Sequence, residues 1–112
     1  MMRLGKPGKT EGFLDEAEGL ARNHFYREAL ELFEAARLDC PDNSRALFGC
    51  AACFFRLGYA MDAAILLRRL IQLAPDHAKG AQLLKLIEQQ NPEMVRRKTL
   101  LEDSRDVYLE DT

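Results

Sequence analysis

Tryptophan is missing from this chain, histidine occurs twice, cysteine three times, and neither sign of charge prevails. Each shortage removes a class of function. Sixteen basic residues face eighteen acidic ones, for a net charge of -2, whereas a dedicated nucleic-acid binder carries a strongly basic face. No apolar run approaches the ~18 residues that would cross a bilayer. Arg3, Lys6 and Lys9 lie near the start, but no apolar stretch follows them to make a secretory leader. Three cysteines, an odd number without such a leader, fit a reducing, cytoplasmic setting better than a disulfide scaffold.

Catalysis lacks its raw material too. His24 and His77 both fall in turns between helices, no serine lies in a nucleophile motif, and no glycine-rich phosphate loop occurs. Cys50 and Cys53 form a C-x-x-C, which raises redox and zinc chemistry. The redox motif normally opens a helix after a strand, where the helix N-terminus lowers a thiol pKa. Here it lies mid-helix, in "ALFGCAACFFRL", and no second ligand pair completes a zinc set. Both cysteines therefore read as small, buried or half-buried helix residues. The basic runs "LLRRL" and "VRRK" read as solvated helix faces. No enzymatic activity, cofactor, metal or nucleic-acid partner is expected.

What the chain does have is helical periodicity. Its 112 residues make one domain, and the hydrophobic share of 47% is ordinary for a globular protein. Phe13, Ala17, Leu20 and Ala21 share one face and predict a helix over 11–22. A second is expected over 26–38, with Tyr26, Ala29, Leu30, Phe33, Ala36 and Leu38 as its apolar stripe. Pro41 ends it, and Asn43 or Ser44 caps a third helix over 44–57, which stops at Gly58. A fourth spans 60–73, and a fifth 77–90, before Asn91-Pro92. The class is all-α, built of antiparallel helix pairs.

The pairs repeat. The step along the chain from Ala29 to Ala63 equals the step from Pro41 to Pro75. The first copy places Phe13, Glu16, Ala17 and Leu20 before Ala29, Phe33 and Pro41; the second places Leu47, Cys50, Ala51 and Phe54 before Ala63, Leu67 and Pro75. In that step and in its order of large and small residues, the pattern resembles the tetratricopeptide repeat, a helix-turn-helix unit of about 34 residues. Small Ala17, Ala29, Ala51 and Ala63 would let paired helices approach, while Phe13, Leu20, Leu47 and Phe54 fill between them. Loops in a generic helical bundle, the alternative, would not need to recur at this period. The expected organisation is a flexible tail over 1–9, a repeat domain over 10–91 and a short helix with an acidic tail over 92–112. Within the domain, repeats 10–43 and 44–77 are followed by a capping helix, 78–90. On that cap Ala81, Leu84 and Ile87 would pack inward, with Lys79, Lys85 and Glu88 towards water.

The resemblance also implies a site. In the family, the first helix of each pair lines a concave groove. The matching places are Glu11, Leu14, Glu18, Ala21 and Arg22 in the first repeat, and Arg45, Phe48, Ala52, Phe55 and Arg56 in the second. The cap adds Lys79, Gln82 and Leu86. Phe48 and Phe55, two turns apart on one face, are not needed by the packing motif; they either floor the groove or pack against neighbouring helices. A floor of Leu14, Phe48, Phe55 and Leu86, rimmed by Arg22, Arg45, Arg56 and Lys79, would suit an apolar partner segment with acidic flanks. The clamp that some family members use for acidic chaperone tails maps to Leu14, Glu18, Gly49, Lys79 and Leu83, of which only Lys79 fits, so that ligand is not expected.

Two functions follow. The first is a non-enzymatic adaptor or small chaperone that holds a partner protein in the groove. "DNSRALFGCAACFFRLGYAMDAA" is similar to the middle repeat of bacterial type III secretion chaperones for translocator proteins, which generally have three repeats where this chain has two and a helix. The second is a self-association module that forms homo-oligomers through repeat ends or tail. The segment "EDSRDVYLEDT" joins acids to an apolar island, Val107, Tyr108 and Leu109, and either docks on a groove or is a frayed terminus.

Overall fold

The computed structural model describes residues 7–93. It contains five α-helices: α1 Pro7–Arg22, α2 Tyr26–Asp39, α3 Ser44–Arg56, α4 Ala60–Leu73 and α5 Ala78–Gln90. Each packs against the next in order, and α1 also touches α3. The arrangement is a helical-repeat stack, with α1/α2 and α3/α4 as two pairs and α5 laid over the second. Among the described residues no strand occurs, and no helix is long and apolar enough to cross a membrane.

The repeat is written in the loop hydrogen bonds as well as in the side chains. Phe25 N–H bonds Leu20 O at 2.9 Å, and Tyr59 N–H bonds Phe54 O at 2.8 Å, the six-to-one bond of a Schellman turn in both pairs. The residue that reverses each turn has a left-handed backbone: His24 at φ 68° and, one repeat on, Gly58 at φ 95°. Glycine takes this conformation without the Cβ penalty that His24 bears. Between pairs, Cys40 N–H bonds Ala36 O at 2.8 Å and Ala74 N–H bonds Leu70 O at 2.7 Å. The next helix is then capped by a side chain: Asn43 Oδ1 accepts from Ala46 N–H at 3.1 Å, and His77 Nδ1 accepts from Gly80 N–H at 2.9 Å. Asn43 is one of the two expected caps. His77 does the same work because its Nδ1 offers a lone pair where the amide oxygen stands in the repeat before.

The small-large logic of the core holds. Ala17, Ala29, Ala51 and Ala63 are buried, Leu47 with them, and Phe13, Leu20 and Phe54 pack partly buried against the cluster. Gly49 and Gly80 extend the same principle to two places where an added Cβ would force a neighbour to move. A Cβ on Gly49 would lie 2.2 Å from Phe33 Cε1, and one on Gly80 would lie 2.7 Å from Leu70 Cδ2. Cys50 and Cys53 are buried, and burial pushes both thiols up, Cys53 to about 11. Cys50 donates to Glu34 Oε1 at 3.2 Å, which also accepts from Arg37 Nε at 2.8 Å, tying α2 to α3. Burial draws the Glu34 carboxyl upward, but the hydrogen bonds from Arg37 and Cys50 outweigh it and hold the group below its ordinary value. Thr10 closes the open end of the first pair with a hydrogen bond to Asp39.

Several expectations need correction. Helix α1 starts at Pro7 rather than near residue 11, because proline serves as a first helical residue. Residues 1–6, and the helix and acidic tail expected after Glu93, lie outside the described residues. Leu38 is 86% exposed. At 100° per residue it lies some 200° round from Ala36, on the far side of α2. On α5 the inward residues are Gly80 and Ile87, with Leu83 and Leu84 partly buried, while Ala81 is exposed. The face is turned by one residue because Gly80 nests against Leu70. Glu88 is half-buried rather than solvated, 3.7 Å from Arg68 Nη2 across the α4–α5 contact.

Candidate partner-binding groove

Helices α1, α3 and α5 supply one side of the stack, and two hollows open along it. The larger, about 450 Å³, runs between α1 and α3 and reaches the start of α5. Its walls include Glu18, Ala21, Arg22, Arg45, Phe48, Ala52 and Lys79. The smaller, about 360 Å³, lies between α3 and α5 and is lined by Phe48, Ala52, Phe55, Arg56, Lys79, Gln82, Leu83 and Leu86. Phe48, Ala52 and Lys79 belong to both, so the two form one continuous trough. At its α5 start Phe48 meets His77, and near the α5 end Phe55 and Arg56 share the hollow with Leu86. Helices α3 and α5 therefore run parallel along it.

Eleven of the thirteen residues expected at a partner-binding groove line this trough: Glu18, Ala21, Arg22, Arg45, Phe48, Ala52, Phe55, Arg56, Lys79, Gln82 and Leu86, while Glu11 lies outside it, paired with Arg45. Leu14 does not line it either. It is 0% exposed and belongs to the core. Thr10, Leu14 and Ala17 form the inward face of α1, so the fifth place of that repeat is turned into the protein.

Arg45 has a different standing from the one expected of a rim cation. Its guanidinium meets Glu18 Oε1 at 2.7 Å, Asp15 Oδ1 at 3.1 Å and Glu11 Oε2 at 3.1 Å. The hydrogen bonds it donates to Glu18 and Asp15 raise its pKa further still. Three carboxylates on one cation bind α1 to α3 and leave that corner acidic. Positive charge in the trough is thus left to Arg22, Arg56 and Lys79, which have no ion pair among the described residues. Arg56 instead holds its guanidinium carbon 5.9 Å from the centroid of the Tyr26 ring.

The remaining lining escaped sequence reasoning. Tyr26, Phe33, Gly49, Cys53 and His77 all reach the larger hollow. His77 had a signal, since it stands one full repeat after the cap Asn43. Its ring lies 5.5 Å from that of Phe48, tilted by 36°, so one imidazole both caps α5 and walls the trough. Tyr26, Phe33, Gly49 and Cys53 had none, because each enters only where neighbouring helices separate. Among the described residues no group of histidine, cysteine and carboxylate side chains could hold a metal ion. The trough is an apolar floor with charged walls.

A family model for the tetratricopeptide repeat matches residues 20–94 of the chain. No curated protein sequence matches it. With the end of α1, all of α2, the second pair and α5 inside the matched span, and with caps and turns recurring from one pair to the next, the chain belongs to the tetratricopeptide-repeat family, whose members are protein–protein interaction modules.

Proposed function

We propose that the protein holds a segment of a partner protein in the trough along α1, α3 and α5, acting as an adaptor or small chaperone. The observation that carries this reading is the state of Phe48 and Phe55. Both remain partly exposed on the trough floor although the core is packed without their outer faces. Covering such rings contributes on the order of 1–3 kcal/mol each, and aromatic anchors in a hollow are where binding energy concentrates. With Arg22, Arg56 and Lys79 around them, the fitting partner is an apolar segment with acidic flanks. A client of the type III translocator kind, an apolar segment shielded by a small chaperone, has that apolar character. The setting proposed is cytoplasmic.

The test is affinity capture from a native lysate with wild type and with Phe48→Glu, Phe55→Glu, after circular dichroism shows equal helicity. A partner held by wild type should be retained at least about tenfold more weakly by the variant, the ratio for a loss of about 1.4 kcal/mol. Equal capture by both would overturn the reading. The second reading, self-association through repeat ends or tail, is favoured by one feature, the exposed Met61 and Ile65 one turn apart on α4. Sedimentation that shows a homo-oligomer insensitive to the Phe48 and Phe55 changes, with no other protein captured, would support it.

A further inference from the structure

The positive walls of the trough have their counterpart within the same chain. Residues 102–112, "EDSRDVYLEDT", hold five acidic side chains against one arginine. Without them the chain has fifteen basic and thirteen acidic residues, so its net acidity is concentrated in that one segment. The segment also carries three consecutive apolar residues, Val107, Tyr108 and Leu109. Acid beside an apolar anchor is the chemistry that Phe48, Phe55, Arg56 and Lys79 ask for.

The path of the chain after α5 points the same way. Repeat register persists to Asn91, whose N–H bonds Ile87 O at 2.9 Å as Leu57 N–H bonds Cys53 O one repeat earlier. It breaks at Pro92, which stands where His24 and Gly58 adopt φ 68° and 95°. Proline is locked near φ -65° and cannot make that turn. Pro92 and Glu93 are helical instead. The turn that closes the first two pairs is therefore not repeated after α5. Leu86, on the last full turn of α5, already lies in the trough beside Phe55 and Arg56. Fourteen residues from Glu93 to Val107 span up to ~46 Å when extended, against 35 Å for the second dimension of the molecule.

We propose that residues 102–112 are the trough's intramolecular occupant, with Val107–Leu109 on Phe48 and Phe55 and the acids towards Arg56 and Lys79, so that a partner must displace them. This rests on the trough being a surface that holds a protein segment. A tether of this length gives an effective concentration on the order of 1 mM. Against a dissociation constant of ~0.1 mM the tail would fill the trough about ten to one, and an external ligand would bind about tenfold more weakly.

The experiment uses the full chain and Tyr108→Ser, Leu109→Ser, compared by amide chemical shifts and by titration with a synthetic peptide of residues 102–112. The expected result is shift changes at Phe48, Phe55, Lys79 and Leu86, and peptide affinity about tenfold higher for the variant. Shift changes confined to the tail, or equal or absent peptide binding, overturn the proposal. So does a wild-type dimer that the variant loses in sedimentation, since the seat is then a second copy. The proposed function fails separately. Partner capture that depends on Phe48 and Phe55 while the peptide binds neither form leaves that function standing and removes the tail. Tail-dependent shifts in the trough with partner capture insensitive to Phe48 and Phe55 do the reverse.

Discussion

Gly49 of α3 lies directly against the ring of Phe33 in α2: an added Cβ would be 2.2 Å from Cε1 and 2.3 Å from Cδ1. The contact joins the two repeats, because Phe33 belongs to the first pair and Gly49 to the second. No flexible side-chain end absorbs the clash, since a ring moves as a unit within a packed core. Gly49→Ala should therefore destabilise the protein by about 1–3 kcal/mol, the range for overpacking, in spite of alanine's better helix propensity. Urea unfolding checks it, and a stabilised variant would show that α2 and α3 can part here without cost.

Gly58 offers the contrast. Nothing lies within 4 Å of its Cβ position, so Gly58→Ala tests the backbone alone. At φ 95° the substitution should cost about 1 kcal/mol. His24→Gly, at the equivalent turn, should change stability in the opposite direction by a smaller amount. Thermal melts of the two variants make the comparison.

His77 caps α5 by accepting the Gly80 N–H through Nδ1. His77→Ala should cost about 1 kcal/mol, as for other lost N-caps, and should loosen α5 before the two repeats. His77→Asn, which restores the repeat's own cap, should recover most of that loss. Amide exchange in α5 at neutral pH reads both.

Arg45 is held by Glu11, Asp15 and Glu18 at 39% side-chain exposure, so water screens the network. Arg45→Gln should cost no more than about 1 kcal/mol, and the cost should shrink at high salt. The variant should also make the α1 edge of the trough more acidic, because the three carboxylates then lose their shared cation. Urea midpoints at low and high salt test this.

Thiol chemistry should divide the cysteines. Cys40 is exposed, whereas Cys50 and Cys53 are buried and held protonated. One thiol should react quickly with an aromatic disulfide reagent and two only on unfolding. The Cys53 proton is held more tightly folded than unfolded, so its contribution is complete below pH 9.0 and is lost as pH rises through about 11. Alkaline unfolding of Cys53→Ala should show a shallower loss over that window. Glu34 acts at the other end, its depressed pKa giving a contribution lost as pH falls through the carboxylate range.

Local chemistry made the architecture legible in the sequence. Prolines at 41 and 75 and alanines at 29 and 63 each constrain their own backbone or their nearest facing helix, so their common spacing announces the repeat. The same holds for the trough, because the places that face it are set by register; Phe48, Phe55, Lys79 and Leu86 all arrive there. Only the tertiary structure could decide what depends on a second helix being present. Leu14 is turned inward with Thr10 and Ala17 on the buried face of α1, Arg45 gives its charge to three carboxylates of α1, and α5 turns Gly80 rather than Ala81 into Leu70. Burial, ion pairing and close approach are properties of pairs of elements, and one-dimensional spacing specifies each partner's face but not how far apart the faces come to rest.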